Sequence, residues 1–137
     1  MRSDVARILI ADDQQHIRAI VGAMLAEEPG LNVCGEAENG QMAINQCKLL
    51  QPDLIILDIR MPVMNGFDAA QEIHRSFPKI AILMLTADES PYFASAAKTC
   101  GATGFLSKAT ANVHLLPAIS TLLRGDTYFH SADADLR

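Results

Sequence analysis

Five polar residues stand where apolar runs end in this chain. Asp12 and Asp13 follow Ile8-Leu9-Ile10-Ala11, and Asp58 follows Leu54-Ile55-Ile56-Leu57. Thr86 closes the run Ile80-Ala81-Ile82-Leu83-Met84-Leu85, and Lys108 follows Gly104-Phe105-Leu106-Ser107. Gathered in one cleft, the three carboxylates would repel, since two charges ~4 Å apart interact by about 4 kcal/mol at an effective dielectric of 20. A hard divalent cation with oxygen ligands relieves that repulsion. Mg²⁺ fits best, because it binds through one or two carboxylates plus waters and phosphate oxygens. A carboxylate beside Mg²⁺ and a lysine can attack a phosphoryl group and become an aspartyl phosphate. The cation and the ammonium would stabilise charge on the equatorial oxygens, and a threonine hydroxyl can donate to the product phosphate.

That chemistry needs elements that bring the five residues together. The β-branched and aliphatic runs, with Leu31-Asn32-Val33-Cys34 as the second of five, fit buried strands. Between them lie amphipathic stretches. Ile17, Ile20, Val21, Met24 and Leu25 share one helical face, as do Met42, Ala43, Cys47 and Leu50. Phe67, Ala70, Ile73 and Phe77 form a third stripe, Phe93, Ala96, Ala97 and Cys100 a thinner fourth, and Leu115, Leu116, Ile119, Leu122 and Leu123 a fifth. Asn65 and Ser90 are placed as N-caps, with Pro91 at the first helical position. Pro29-Gly30, Gln51-Pro52 and Pro78 end the first three helices, and Gly101 and Gly125 are placed as C-caps of the last two. Alternation of this kind predicts a doubly wound (βα)5 α/β sandwich of three layers with a parallel five-stranded sheet, and the flavodoxin-like order 2-1-3-4-5 is the arrangement taken for it. In such sheets ligands bind beyond the carboxyl ends of the strands, where the order reverses. Strands 1, 3, 4 and 5 are then neighbours, so Asp12, Asp13, Asp58, Thr86 and Lys108 converge. Only strand 2 ends without a polar site residue.

Composition sets the outer limits. The chain has 137 residues, half of them hydrophobic and a fifth charged. One domain is the expectation, and wholesale disorder is excluded. No apolar run approaches the ~18 residues that span a bilayer, and no signal-peptide core follows the N-terminus, so no membrane partner is expected. The net charge of −5 argues against direct nucleic-acid binding, which needs Lys and Arg on phosphates. The three cysteines Cys34, Cys47 and Cys100 lack CxxC spacing and read as free thiols of a cytoplasmic protein. His16, His74, His114 and His130 lie far apart without ligand spacing, and read as surface or packing residues, as Met61, Met64 and Met84 read as packing.

Four motifs together resemble the receiver domain of a bacterial two-component response regulator. They are Ala11-Asp12-Asp13, Leu57-Asp58-Ile59-Arg60-Met61-Pro62-Val63-Met64-Asn65-Gly66, Thr86-Ala87, and Gly101-Ala102-Thr103-Gly104-Phe105-Leu106-Ser107-Lys108. The resemblance covers about residues 5–124. It implies that Asp58 is the phosphoacceptor and that Asp12 and Asp13 bind Mg²⁺, with Asp13 favoured as the direct ligand. The backbone carbonyl of Arg60 would be a further ligand and Lys108 the phosphate-binding lysine. Thr86 resembles the switch hydroxyl and Phe105 the switch aromatic, which together reshape the face made by helix 4, strand 5 and helix 5. The implied donor is a sensor histidine kinase or a phosphotransfer protein, and pairing as a homodimer through such faces is common in the family. The implied role is signalling, with catalysis limited to the domain's own phosphorylation and dephosphorylation.

Some local features tune or depart from the pattern. Many receivers carry a proline in a cis bond after the lysine. Here Ala109 stands there, and a cis bond to it would cost about 3–4 kcal/mol, which leaves the course of this loop open. Arg60 and Asp88 lie two residues beyond the acceptor and the switch threonine, where the family tunes phosphoryl lifetime. Their opposite charges suggest a pair across the site mouth. An Asp-nucleophile phosphatase of the haloacid dehalogenase type is the rival reading, but it needs an acid where Arg60 stands. Residues 1–124 read as the receiver and 125–137 as a tail or linker. The Leu122-Leu123-Arg124-Gly125-Asp126-Thr127-Tyr128-Phe129 exit resembles LuxR/NarL-type regulators, in which a helix-turn-helix DNA-binding domain follows. Such a domain is absent from this chain, and a fragment of a longer transcription regulator is favoured over a stand-alone receiver acting through protein contacts.

Overall fold

The computed structural model describes residues 5–87 and 90–130. Strands β1 (Ala6–Ala11), β2 (Leu31–Ala37), β3 (Leu54–Leu57), β4 (Ala81–Thr86) and β5 (Gly104–Ser107) alternate with helices α1 (Gln15–Ala26), α2 (Gly40–Leu50), α3 (Gly66–Ser76), α4 (Pro91–Thr99) and α5 (Ala111–Leu123). All pairings are parallel, and the sheet runs β2-β1-β3-β4-β5 in the expected order.

Strict alternation along the central strands divides the core in two. Leu9, Ile55, Leu57, Ile82, Met84 and Phe105 face one way, onto Ala43 and Cys47 of α2, Ala70 and Ile73 of α3 and Ala97 of α4. Ile8, Ile10, Leu54, Ile56, Leu83, Leu85 and Leu106 face the other, onto Val21 and Leu25 of α1 and Leu115, Ile119 and Leu122 of α5. Strands buried on both faces must be apolar at every position, which is why they read as unbroken runs.

The helix ends follow their capping residues. Asn65 Oδ1 accepts from the Asp68 amide at 3.0 Å and Ser90 Oγ from the Tyr92 amide at 3.3 Å. Gly101 and Gly125 sit at φ +97° and +92°, the left-handed backbone that ends α4 and α5. The first stripe is wider than the sheet surface α1 covers, so Ile20 is left 55 % exposed.

The structure adds three things to the expected plan. The sheet has six strands, not five: β6 (Tyr128–Phe129) pairs in parallel with the free edge of β5. Folded backbone thus continues past residue 124, the expected end of the compact unit. Next, β2 is longer than its apolar run, because a register irregularity against Ile8 and Leu9 lets it continue through Gly35 and Glu36. Finally, two histidines far apart in sequence meet. The rings of His114 and His130 stack at 3.6 Å, and His114 Nδ1 lies 2.7 Å from the Tyr128 hydroxyl. They are packing residues, but as a pair that pins β6 onto α5.

Candidate functional site

The carboxyl ends of β1, β3, β4 and β5 open into a cleft of about 640 Å³ lined by Asp13, Gln14, Asp58, Arg60, Thr86, Ala87 and Lys108. Asp12, Asp13 and Asp58 each offer a carboxylate oxygen, and these oxygens lie within 4.8 Å of one another. Asp12 and Asp58 are buried, while Asp13 is exposed. Lys108 reaches in from the end of β5, its Nζ 2.7 Å from Asp12 Oδ2 and 3.3 Å from Asp58 Oδ2.

Each side chain is aimed by its local backbone. Asp12 Oδ1 accepts from the Gln14 amide at 2.9 Å, and Asp58 Oδ1 from the Ile59 amide at 2.8 Å. The turn after Asp58 closes when the Gly66 amide returns to the Ile59 carbonyl at 2.7 Å. A Cβ on Gly66 would lie 2.0 Å from the Asp58 carbonyl oxygen, so the Asn65-Gly66 step is a steric requirement of the acceptor loop. After β5, Ser107 Oγ accepts from the Ala109 amide at 3.1 Å, and a 3-10 turn over Lys108–Thr110 leads into α5. No peptide bond among the described residues is cis, so the Lys108–Ala109 bond is trans and the serine cap shapes this loop.

The electrostatics follow from crowding. Burial, then the Asp12 charge, pushes the Asp58 carboxyl above the usual carboxylate range, with Lys108 and the Ile59 amide opposing. Burial alone would lower the Lys108 ammonium, but its hydrogen bond to Asp12 and the Asp58 charge outweigh that and raise it. Three converging hard oxygen donors suit a Mg²⁺-type cation far better than a thiolate-seeking one.

Six of the expected residues share this place: Asp12, Asp13, Asp58, Arg60, Thr86 and Lys108. Thr86 is fully buried at the end of β4. Phe105 does not line the cleft; it is buried in the core on the α3–α4 side of β5. Arg60 stacks over the Phe93 ring at 5.5 Å, and Phe93 meets Phe67 edge-on at 5.4 Å, so the arginine is braced on α4. Asp88 lies outside the described residues, and with it the expected Arg60–Asp88 pair.

Two participants escaped sequence reasoning. Arg18, one turn into α1, donates from Nη1 to the Asp12 carbonyl at 2.5 Å and from Nε to Glu36 Oε1 at 2.7 Å. Glu36 belongs to the part of β2 beyond its apolar run, so nothing in the sequence paired the two. Strand 2 therefore does carry a polar group toward this end of the sheet.

Comparison with known proteins agrees with this geometry. Residues 8–120 match the family model described as the response regulator receiver domain. The response regulator GacA of Pseudomonas viridiflava is 30% identical over 122 residues, 89% of this chain and 57% of that protein. The transcriptional regulatory protein LnrK of Bacillus subtilis is 35% identical over 119 residues, 87% of this chain and 54% of that protein. The chain thus spans a little over half the length of these relatives. Among solved structures, a LuxR-family two-component response regulator from Aurantimonas superposes with a TM-score of 0.89 at 28% identity, covering 94% of this chain and 91% of that one. The isolated receiver domain of RcsB from Salmonella enterica, in the presence of the phosphomimetic BeF3⁻, gives 0.85 at 27% identity, covering 92% and 94%. Fold, acidic cleft and family match agree: this chain belongs to the response regulator receiver family of two-component signal transduction, with LuxR/NarL-type neighbours.

Proposed function

We propose that Asp58 accepts a phosphoryl group from a phosphohistidine on a sensor histidine kinase or phosphotransfer protein. The observation that carries this is three carboxylates within 4.8 Å of one another, two of them held by one lysine, at the strand ends of a receiver fold. A carboxylate oxygen of Asp58 attacks phosphorus, the P–N bond to the donor imidazole breaks, and the imidazole leaves with a proton from solvent. Asp12, Asp13, Asp58 and the Arg60 carbonyl would hold Mg²⁺, which when bound neutralises charge on the phosphoryl oxygens. Lys108 sits where it can follow the transferred group, and Thr86 lines the cleft to donate a hydrogen bond to it. The same groups would govern hydrolysis of the acyl phosphate, and Arg60 and Asp88, two residues beyond the acceptor and the threonine, are the positions proposed to tune its lifetime.

Thr86 and Phe105 are the proposed switch, since β4 and β5 pair side by side with Met84 opposite Phe105 and Thr86 opposite Ser107. The output we propose is control of a DNA-binding domain outside this chain, by a cytoplasmic regulator that pairs as a homodimer. The name of LnrK, a transcriptional regulatory protein, and the fraction of the relatives' length spanned here support the transcription-regulating output. Among the described residues no helix is long and apolar enough to cross a membrane. Mass spectrometry after incubation with acetyl phosphate, or with a phosphorylated histidine kinase, and Mg²⁺ tests the core claim. A gain of one phosphoryl group, lost in Asp58→Ala, is expected. An unchanged wild-type mass with both donors would sink it.

A further inference from the structure

We infer that Arg18 is a positioning residue for the cation-binding loop: anchored on Glu36, it fixes the peptide plane that aims Asp13 toward Asp58. The inference rests on the proposed role of Asp12 and Asp13.

The loop between β1 and α1 lacks the usual supports. Gln14, at the N-cap of α1, makes no side-chain capping bond, and the first turn carries no acid. Asp12 is held instead at every oxygen it has. Oδ1 accepts from the Gln14 amide, Oδ2 from Lys108, and the carbonyl from Arg18 Nη1 at 2.5 Å. Asp13 is different: it is exposed and has no hydrogen bond within the described chain. Its backbone is therefore what sets the point from which its carboxylate reaches into the cleft. The Asp12 carbonyl and the Asp13 nitrogen belong to one planar peptide, so holding that oxygen sets the plane from which Asp13 departs.

Arg18 is suited to hold it. Its side chain is only 13% exposed, and its Nε bonds Glu36 Oε1 at 2.7 Å. Glu36 lies opposite Ile10, two residues before Asp12, in the parallel register of β1 and β2. The guanidinium thus ties a strand already paired with β1 to the carbonyl where β1 gives way to the loop. A planar fork fixes two acceptors in set directions, which a lysine ammonium does not.

Mg²⁺ titration calorimetry at 25 °C, with thermal melting in parallel, tests this on the full chain. Groups that orient metal ligands typically change affinity 10–100-fold when removed, so Arg18→Met should weaken Mg²⁺ binding by about tenfold. Arg18→Lys keeps the charge and loses the fork, and should bind as weakly as Arg18→Met. Glu36→Ala should weaken binding several-fold, and the double variant Arg18→Met/Glu36→Ala should be no weaker than Arg18→Met alone, because the two act as one unit. A purely structural arginine would lower the melting temperature and leave the Mg²⁺ affinity of the folded protein unchanged, which overturns the inference. If Arg18→Met does not fold, Arg18→Lys and Glu36→Ala make the same test. Wild-type protein that binds no Mg²⁺ overturns the proposed cation site itself, and is told apart because it appears before any variant is compared.

Discussion

Lys108 is bonded to Asp12, not chiefly to the proposed acceptor: its Nζ lies 2.7 Å from Asp12 Oδ2, against 3.3 Å from Asp58. A cation bound at the acidic group would compete with the lysine for Asp12 and leave it free to engage Asp58. Replacing Lys108 by Met should therefore separate two properties. Phosphoryl uptake from acetyl phosphate should fall by roughly 100-fold, the scale for losing one charged donor to a developing anion. Mg²⁺ affinity should hold or rise, because a competing cation has been removed. Uptake kinetics and Mg²⁺ titration on one preparation check both, and a wild-type uptake rate would contradict the role given to the lysine.

The raised Asp58 pKa makes a stability statement. A carboxyl whose folded pKa lies above its unfolded value stabilises the fold at low pH, and that contribution is lost as pH rises through the folded value. At neutral pH the buried charge opposes folding. Asp58→Asn should thus melt higher than wild type at pH 7, by about 3 °C for roughly 1 kcal/mol in a chain of this size. The gap should close below about pH 4, where an unfolded aspartate is itself protonated. Melting curves from pH 3 to 8 in a chelator provide the check.

Adding Mg²⁺ should reverse the order. A ligand that binds only the native state stabilises it by mass action, about 2.7 kcal/mol at a hundredfold excess over Kd. Wild type, with three carboxylates, should gain more than Asp58→Asn, with two. Equal shifts in both would place the cation elsewhere.

Gly66 offers a steric test. Its Cβ would lie 2.0 Å from the Asp58 carbonyl oxygen and 2.8 Å from Ile59 Cα, both backbone. Gly66→Ala should cost about 1–3 kcal/mol in denaturant titration, the range for forced overpacking, and slow phosphoryl uptake by displacing the acceptor. Gly22→Ala, on α1 with nothing within 4 Å, is the matched control. It should stabilise by about 0.5–1 kcal/mol, the helix cost of glycine relative to alanine.

Thiol chemistry should report the core. Burial, then the neighbouring Cys34, pushes the Cys47 thiol up to about 12. Iodoacetamide at pH 8 should label Cys34 and Cys100, both partly exposed, and spare Cys47 until denaturant is added. Mass spectra with and without denaturant count the labels.

Much of the molecule was legible because chemistry and punctuation coincide. Asp12, Asp58, Thr86 and Lys108 sit where apolar runs stop, and parallel strands point those stops to one end. Asn65, Ser90, Gly101 and Gly125 act locally, so their neighbours suffice to read them. What stayed hidden depends on distance in sequence. The Arg18–Glu36 contact needs β2 to run three residues past its apolar stretch, and a register irregularity allows it. The His114–Tyr128–His130 contact needs β6, too short to show a period. The charge of Arg60 is plain in the sequence, but its place over the ring of Phe93, from the thin fourth stripe, depends on how α4 packs beside the acceptor loop.

β6 has one more consequence. An outermost strand exposes a row of unpaired amides and carbonyls that can template another chain. Here the amides of Tyr128 and His130 occupy the carbonyls of Thr103 and Phe105, at 2.9 Å each, and Lys98 lies 4.7 Å above the Phe129 ring. Two residues, clasped from α4 and from α5, cover the edge of β5 and leave only a very short strand outermost, one of the ways a sheet edge is blunted. A receiver cut at Gly125 would leave the carbonyls of Thr103 and Phe105 open to the strand of another copy.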